Sequence, residues 1–407
     1  MPRVALFGVL MLLLGALSHF SLWRWAAHAF PWAARHRRPT LGLAVALSLL
    51  APFARALAAI AKADWAGSLL ALAMTEYLVV LFAALPLTLL RAASAGGAWI
   101  VGRARRARGE SPAPREPAFA PDEAEVAPPA MTRRQVVEAT LGTALLGGMG
   151  AGLGWGAVRG RHAFVIDEVA VRIPGLPRVL DGYVIGQLSD IHVGPLVRER
   201  ELAEGLDRLK EARADLVVLT GDILDFDPSH IPLAARALGA IRARDGVFAI
   251  LGNHDQYTGA AAVAAGLRGA GIDVLENEGR LIRGGDGGGF ALLGVEDLSA
   301  VRFRGTGPDL GAATRGLPRE RPRILLSHQP STFDLFAGHV ALQLSGHTHG
   351  GQVNPGFRPA DLVMRYVAGR YEKDGSTLWV NRGFGVVGPP ARIGAPPEVT
   401  RIVLVAA

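Results

Sequence analysis

The chain has 407 residues, half of them hydrophobic, with 43 lysines and arginines against 36 aspartates and glutamates and a formal net charge of +7. That length exceeds one average domain, and the apolar excess, crowded into the first third, points to membrane segments ahead of a core-forming domain. Cysteine is absent, which excludes disulfides, thiolate metal sites and a cysteine nucleophile, so any metal must be held by His, Asp, Asn or Glu.

Residues 4–23 (VALFGVLMLLLGALSHFSLW) have the length that about 30 Å of hydrocarbon requires of a helix. Residues 41–60 and 66–90 are two further apolar stretches, the first interrupted by Arg55 and the second by Glu76 and Pro86. A glycine-rich stretch, 136–157, stands as a fourth span or a signal-like anchor, and its glycines 148, 150, 152 and 154 would allow close helix contact. Arginines 24, 35, 37 and 38 follow the first span and 91, 103, 105, 106 and 108 follow the third, so both flanks are expected in the cytoplasm. Four crossings then place the C-terminal domain outside the cytoplasm; three would place it inside. The excess positive charge therefore reads as topology, not as a nucleic-acid surface. Thr132-Arg133-Arg134-Gln135-Val136-Val137 has the form of an internal twin-arginine signal, although two arginines before an apolar run also serve as plain flanking charge. Residues 101–130 are expected to be a Pro/Ala/Glu-rich linker, 131–159 the fourth segment, and 160–407 the catalytic domain.

From about residue 163 short β-branched runs alternate with helical spacing. The runs 184–190, 215–222, 247–255, 323–328 and 340–347 each end in polar residues, which describes buried strands with chemistry at their C-terminal ends. Residues 198–212 and 230–243 have helical spacing, whereas 280–296 and 366–406 read as hairpins or meanders. The fold class is α/β.

Every strand end carries His, Asp or Asn. Asp190 and His192 alternate, so both side chains point the same way from an extended backbone and suit a first metal. Asp222 follows a glycine, and its two carboxylate oxygens can bridge two cations. Asn253 and His254 follow Gly252, His328 ends another strand, and His347 and His349 alternate again. Two divalent ions about 3.5 to 4 Å apart give the geometry of in-line displacement at phosphorus.

These motifs, DIH, GD, GNHD, SH and GHTH in order, resemble the calcineurin-like metallophosphoesterase superfamily. LSDIHVG, LTGDILD, LSHQP, GHTHGGQV and the closing Arg392-Ile393-Gly394-Ala395-Pro396-Pro397-Glu398 resemble its membrane-associated, twin-arginine or anchored branch. The resemblance implies a four-layer αββα sandwich preceded here by three to four membrane spans. It implies one metal on Asp190, His192, Asp222 and His349 and another on Asp222, Asn253, His328 and His347. The metals would be manganese, zinc or iron, with nitrogen-rich ligation arguing against magnesium. A hydroxide bridging the pair would attack phosphorus while His254 protonates the leaving oxygen, with Asp255 fixing its orientation.

Outside this set, His230 and His339 read as ordinary polar residues; Asp225 and Asp227 could tune the metal shell, although a surface position is the preferred reading, and 284–289 (GGDGGG) reads as a hairpin turn because it lacks a phosphate loop's lysine. The expected activity is hydrolysis of phosphomono- or phosphodiesters, a lipid-linked substrate being the favoured reading because the anchor keeps the site near the bilayer. Two alternatives stand beside it. One is a cytoplasm-facing hydrolase of a nucleotide-diacylglucosamine in lipid A synthesis, which the resemblance suggests. The other is a membrane transport or sensing module with a regulatory phosphoesterase domain, disfavoured because Arg55 and Glu76 alone do not define a pathway.

Overall fold

A run of apolar residues with no polar face has no surface to present to water, and the first third of the chain accordingly folds as long helices. The computed structural model describes residues 2–61, 64–108, 131–285 and 288–407. The helices are α1 (Pro2–Ala29), α2 (Pro31–Arg35), α3 (Arg37–Ser48), α4 (Leu50–Ala61), α5 (Asp64–Ala107) and α6 (Arg133–Val158). Four stretches are long and apolar enough to cross a membrane: Val9–Ala29, Arg37–Ala58, Trp65–Ala104 and Arg133–His162. Residues 101–107, expected to open the linker, instead continue α5 as helix, because Ala, Val and Arg carry the helical pattern on; the rest of the expected linker, 109–130, lies outside the described residues.

The described residues form two compact units, one of Met1–Ala61 and Leu72–Leu153, the other of Lys62–Ala71 and Gly154–Ala407. In the first, Trp25, Ala83, Leu87 and Ala139 share an apolar cluster. The close helix approach falls at Gly142, where a Cβ would meet the Trp25 ring, and not at glycines 148, 150 and 152, which have open space around them among the described residues. Glu76 is not left alone in its apolar stretch: its carboxylate lies 3.0 Å from His19 Nε2, as a polar group away from water requires.

The second unit is built on twelve strands. They are β1 (Val165–Ile173), β2 (Tyr183–Leu188), β3 (Leu216–Thr220), β4 (Val247–Ile250), β5 (Asp273–Val274), β6 (Glu278–Ile282), β7 (Phe290–Gly294), β8 (Arg323–Leu326), β9 (Leu342–Ser345), β10 (Gly369–Lys373), β11 (Ser376–Val380) and β12 (Glu398–Ala406). Helices α7 (Glu199–Glu211), α8 (Ile231–Leu238), α9 (Asn253–Thr258), α10 (Ala260–Gly269), α11 (Leu310–Ala313) and α12 (Phe333–Phe336) connect them. The strands form two six-stranded sheets, in the orders β1-β12-β2-β3-β4-β5 and β10-β11-β9-β8-β7-β6.

Alternation along the strands decides the layering. On β3, Leu216 and Val218 point into a core shared with Ile324, Leu326, Leu342 and Leu344 of the other sheet. Val217 and Leu219 point the opposite way, onto Leu202, Leu209, Leu238 and Leu267 of α7, α8 and α10. On the far side Ala291, Leu293 and Leu325 meet Ala313 and Phe336. The result is helix, sheet, sheet, helix, the four-layer sandwich expected. The 366–406 region divides: β10 and β11 form a hairpin around Asp374 and Gly375, both with positive φ as such a turn demands, whereas β12 crosses to the other sheet, parallel to β1 and antiparallel to β2. Strands β6 and β7 pair antiparallel across the glycine-rich turn, of which residues 286–287 lie outside the described ones. Because β2, β3 and β4 are parallel, as are β7, β8 and β9, their C-terminal ends gather at one edge of the sandwich.

Candidate metal centre

At that edge the strand ends hand their polar residues to one buried cluster. Asp190, His192 and His349 bring ligand atoms within 4.8 Å of one another, and so do Asp222, His328 and His347. Asn253 joins the second group, its Oδ1 3.2 Å from His328 Nε2. Asp222 stands between the groups: Oδ2 lies 3.2 Å from His328 Nε2 and 3.6 Å from His192 Nε2, while Oδ1 accepts the His254 backbone N–H at 2.8 Å. All seven side chains singled out as metal-holding therefore meet in one place.

The backbone shows what this costs. Asp190, His192, Asp222, His347 and His349 have φ between 52 and 74°, a left-handed region that costs a non-glycine residue roughly 1 to 2 kcal/mol. The turns are held by the site itself. The Asp190 carboxylate accepts the His347 backbone N–H at 2.9 Å, and the backbone N–H of His192 donates to Asp222 O at 3.0 Å. Two glycines leave room for the carboxylates: a Cβ at Gly252 would overlap Asp222 Oδ1, and one at Gly346 would overlap Asp190 Oδ2.

The donor set fits divalent cations. His328 Nδ1 lies 2.8 Å from Thr220 O, so Nδ1 carries the proton and Nε2 the lone pair. That lone pair faces Asn253 Oδ1, Asp222 Oδ2 and His347 Nδ1, the last at 3.3 Å. His192 Nε2 and His349 Nε2 face each other at 3.1 Å, and His192 Nδ1 is buried without a hydrogen-bond partner. Converging lone pairs repel unless a positive charge sits among them. Burial opposes charge on Asp222, yet His328, His192 and His254 hold its carboxyl well below the usual range. Burial would also lower the His328 pKa, but Asp222 raises it well above the ordinary value. Four imidazoles, two carboxylates and a carboxamide suit manganese, iron or zinc.

His254 and Asp255 sit at the start of α9, and here the expected orientation is corrected. Asp255 does not reach the His254 ring; its carboxylate accepts the backbone N–H groups of Gly252, Ile223 and Leu224 at 2.9 to 3.1 Å. It ties the β3 and β4 ends together, and burial together with Asp222 pushes its pKa up to about 7 against those N–H groups. The group facing His254 is Asp225, whose carbonyl lies 2.9 Å and whose carboxylate lies 3.7 Å from His254 Nδ1. Burial lowers the His254 pKa, but Asp225 and Asp222 more than offset it and raise the ring above its ordinary value. Asp225 also groups with His192 and His254 within metal-ligand reach of one another, so it is not the surface residue it resembled. Its place two residues beyond Ile223 on the same turn was the available signal.

Sequence reasoning also gave no role to Arg392. Fully buried, its guanidinium donates to Gly385 O, Arg382 O and Ala395 O and stands 3.2 Å from His349 Nδ1, tying the closing segment to the last histidine. Burial pushes its pKa down to about 9 against Asp190 and Glu398.

The likeness to known proteins runs through this same region. The family model described as calcineurin-like phosphoesterase matches residues 183–351, which span β2 to the turn after β9. A transmembrane protein with metallophosphoesterase domain from Danio rerio is 34 % identical, the alignment covering 67 % of this chain and 63 % of that one. Its counterpart in Bos taurus is 33 % identical over 60 % of this chain and 57 % of its own, so the chain spans about three fifths of the length of these two relatives. The metallophosphoesterase YkuE of Bacillus subtilis is 31 % identical, with 66 % of this chain and 96 % of that protein covered. With the ordered motifs, the sandwich and these relatives in agreement, the chain belongs to the calcineurin-like phosphoesterase family.

Proposed function

We propose that the chain is a membrane-anchored phosphoesterase that hydrolyses phosphomono- or phosphodiesters with two divalent metal ions, one on Asp190, His192, Asp222 and His349, the other on Asp222, Asn253, His328 and His347. The observation that carries this is Asp222 Oδ2, which lies between His192 and His328 and so belongs to both groups. When bound, such ions neutralise charge at phosphorus and lower the pKa of water. The residues supply the rest. Asp222 holds both groups in register, and the His254 backbone N–H fixes the rotation of its carboxylate. The Asp225 backbone carbonyl accepts the Nδ1–H of His254 and leaves Nε2 for the substrate. Asp225 and Asp222 favour the protonated form of that ring, the form that can deliver a proton to the leaving oxygen. Asp255 stiffens the loop from which both residues act.

A lipid-linked phosphate is the favoured substrate class, supported by the four helices long enough to cross a membrane. Arginine flanks and four crossings favour a catalytic domain outside the cytoplasm. The test is a hydrolysis screen of the full chain in detergent with bis-p-nitrophenyl phosphate, p-nitrophenyl phosphate and a phospholipid panel, manganese or zinc being restored. Turnover is expected on at least one; none on any, with metals bound, would overturn the reading.

A further inference from the structure

The side chains around His254 are those of an interface, not of an ordinary wet surface. The Phe226 ring lies 4.4 Å from the His254 ring, Tyr257 lies 6.1 Å from Phe226 and nearly parallel to it, and Phe303 lies 5.6 Å from Tyr257. All three rings are more than two fifths exposed. They come from the segments that follow the C-terminal ends of β3, β4 and β7, Tyr257 from α9 itself, so this aromatic strip borders the site.

On either side of Phe303 in the chain stand Arg302 and Arg304, both exposed, and neither has an ion-pair partner among the described residues. The acids nearby are engaged elsewhere. Asp225 faces His254 and His192, Asp227 accepts the Ser229 backbone N–H, and Glu296 accepts those of Thr306 and Gly307. On another loop leaving the same edge, after His349, Leu362 and Val363 are 81 % and 83 % exposed, with Phe357 and Met364 also exposed beside them. Scattered apolar residues need no explanation, but two clusters on the loops of one edge do.

We infer that this edge is a docking face for the headgroup layer of an anionic phospholipid bilayer. Aromatic rings settle at headgroup depth, aliphatic tips enter the acyl boundary, and unpaired arginines meet lipid phosphates. A bilayer is the fitting partner for a chain with four helices able to cross one. The consequence for the proposed hydrolase is that a phospholipid-type headgroup reaches His254 in the plane of the membrane, without leaving it. That consequence rests on the hydrolase reading; the docking does not.

The absence of cysteine makes the test direct. Single cysteines at Val301, at Val363 and, as control, at Val179 are labelled with an environment-sensitive fluorophore in the full chain. Val179 is 74 % exposed but precedes β2, at the opposite end of the sheet. The chain is reconstituted in vesicles of phosphatidylcholine alone or with 30 mol % phosphatidylserine, each carrying a spin-labelled lipid that quenches at headgroup depth. Quenching is expected at 301 and 363 but not at 179, stronger with phosphatidylserine and weakened by salt. Arg302→Gln combined with Arg304→Asn, the latter chosen because asparagine tolerates the positive φ at 304, is expected to lower the docking equilibrium on the order of 30-fold. Quenching at 301 and 363 no greater than at 179, or indifferent to phosphatidylserine, would overturn the inference. Bis-p-nitrophenyl phosphate turnover by the same wild-type preparation is scored separately, so a failed docking face and a failed hydrolase are told apart.

Discussion

Gly252→Ala isolates the role of the Asp222 carboxylate without replacing any proposed ligand. Gly252 has φ −99 and ψ −175, which alanine adopts freely, so the whole effect is steric. The added Cβ would sit 2.5 Å from Asp222 N and overlap Asp222 Oδ1. Carbon reaches van der Waals contact at about 3.5 Å, so backbone or carboxylate must move by about 1 Å. Asp222 Oδ2 is held at 3.2 and 3.6 Å from two histidines, and a shift of that size breaks at least one of these relations. Misplacement by about 1 Å costs catalysis on the order of 100-fold, and overpacking costs about 1 to 3 kcal/mol of stability. The matched control is Gly269→Ala, where a Cβ meets nothing within 4 Å and helix propensity gains up to about 1 kcal/mol. Turnover of bis-p-nitrophenyl phosphate and metal content per chain are read on both. Gly252→Ala with turnover within twofold of wild type and full metal content would refute the reasoning that Asp222 is the shared, sterically fixed group.

Further outcomes follow from the same geometry. His254→Ala should lower kcat by about 10²- to 10⁴-fold while metal content stays full; unchanged turnover would remove the ring from the mechanism. Asp255→Ala strands three buried N–H groups and should cost about 3 kcal/mol or more in thermal unfolding of the detergent-solubilised chain, since each unmet donor costs about 1 to 3; a neutral effect would contradict its loop-tying role. Asp245 accepts from Arg283 and Tyr183, and although burial opposes its charge these partners hold its carboxyl below the usual range. A depressed folded pKa contributes stability above the unfolded value of about 3.9 and loses it as pH falls through the folded one. Asp245→Asn should therefore cost about 1 kcal/mol at pH 7, allowing for the half-exposed Arg283, and less as pH drops below about 4; a pH-independent deficit would contradict this. Protease added to intact cells should cut the catalytic domain; protection until lysis would reverse the proposed sidedness.

The strand ends were legible because two constraints coincide there. A buried parallel strand must be apolar, so a polar pair such as Asp190 and His192 at its end stands out. The five ends carry their chemistry within a few residues of the strand, and the sheet gathers them without long-range information. What needed the fold was long-range or conformational. Alternation predicted that Asp190 and His192 share a direction from an extended backbone, but both are left-handed, a strain that the surrounding hydrogen bonds impose. Asp255 looked like the partner of His254 because it is adjacent, yet the helical start of α9 turns its carboxylate onto backbone N–H groups and leaves the ring to Asp225. Arg392 lies far along the chain from His349, so nothing local could disclose their contact. The same holds for His19 and Glu76, joined across 57 residues, and for β12, whose place between β1 and β2 depends on a return from the other sheet.

The most direct test of the central claim is metal stoichiometry measured together with hydrolysis on the purified full chain. The account predicts two divalent ions per chain, loss of bis-p-nitrophenyl phosphate turnover on chelation and its return with manganese or zinc, and Asp222→Asn that retains neither the full pair nor the activity. Turnover that survives complete chelation, or Asp222→Asn with two ions and wild-type activity, would contradict it.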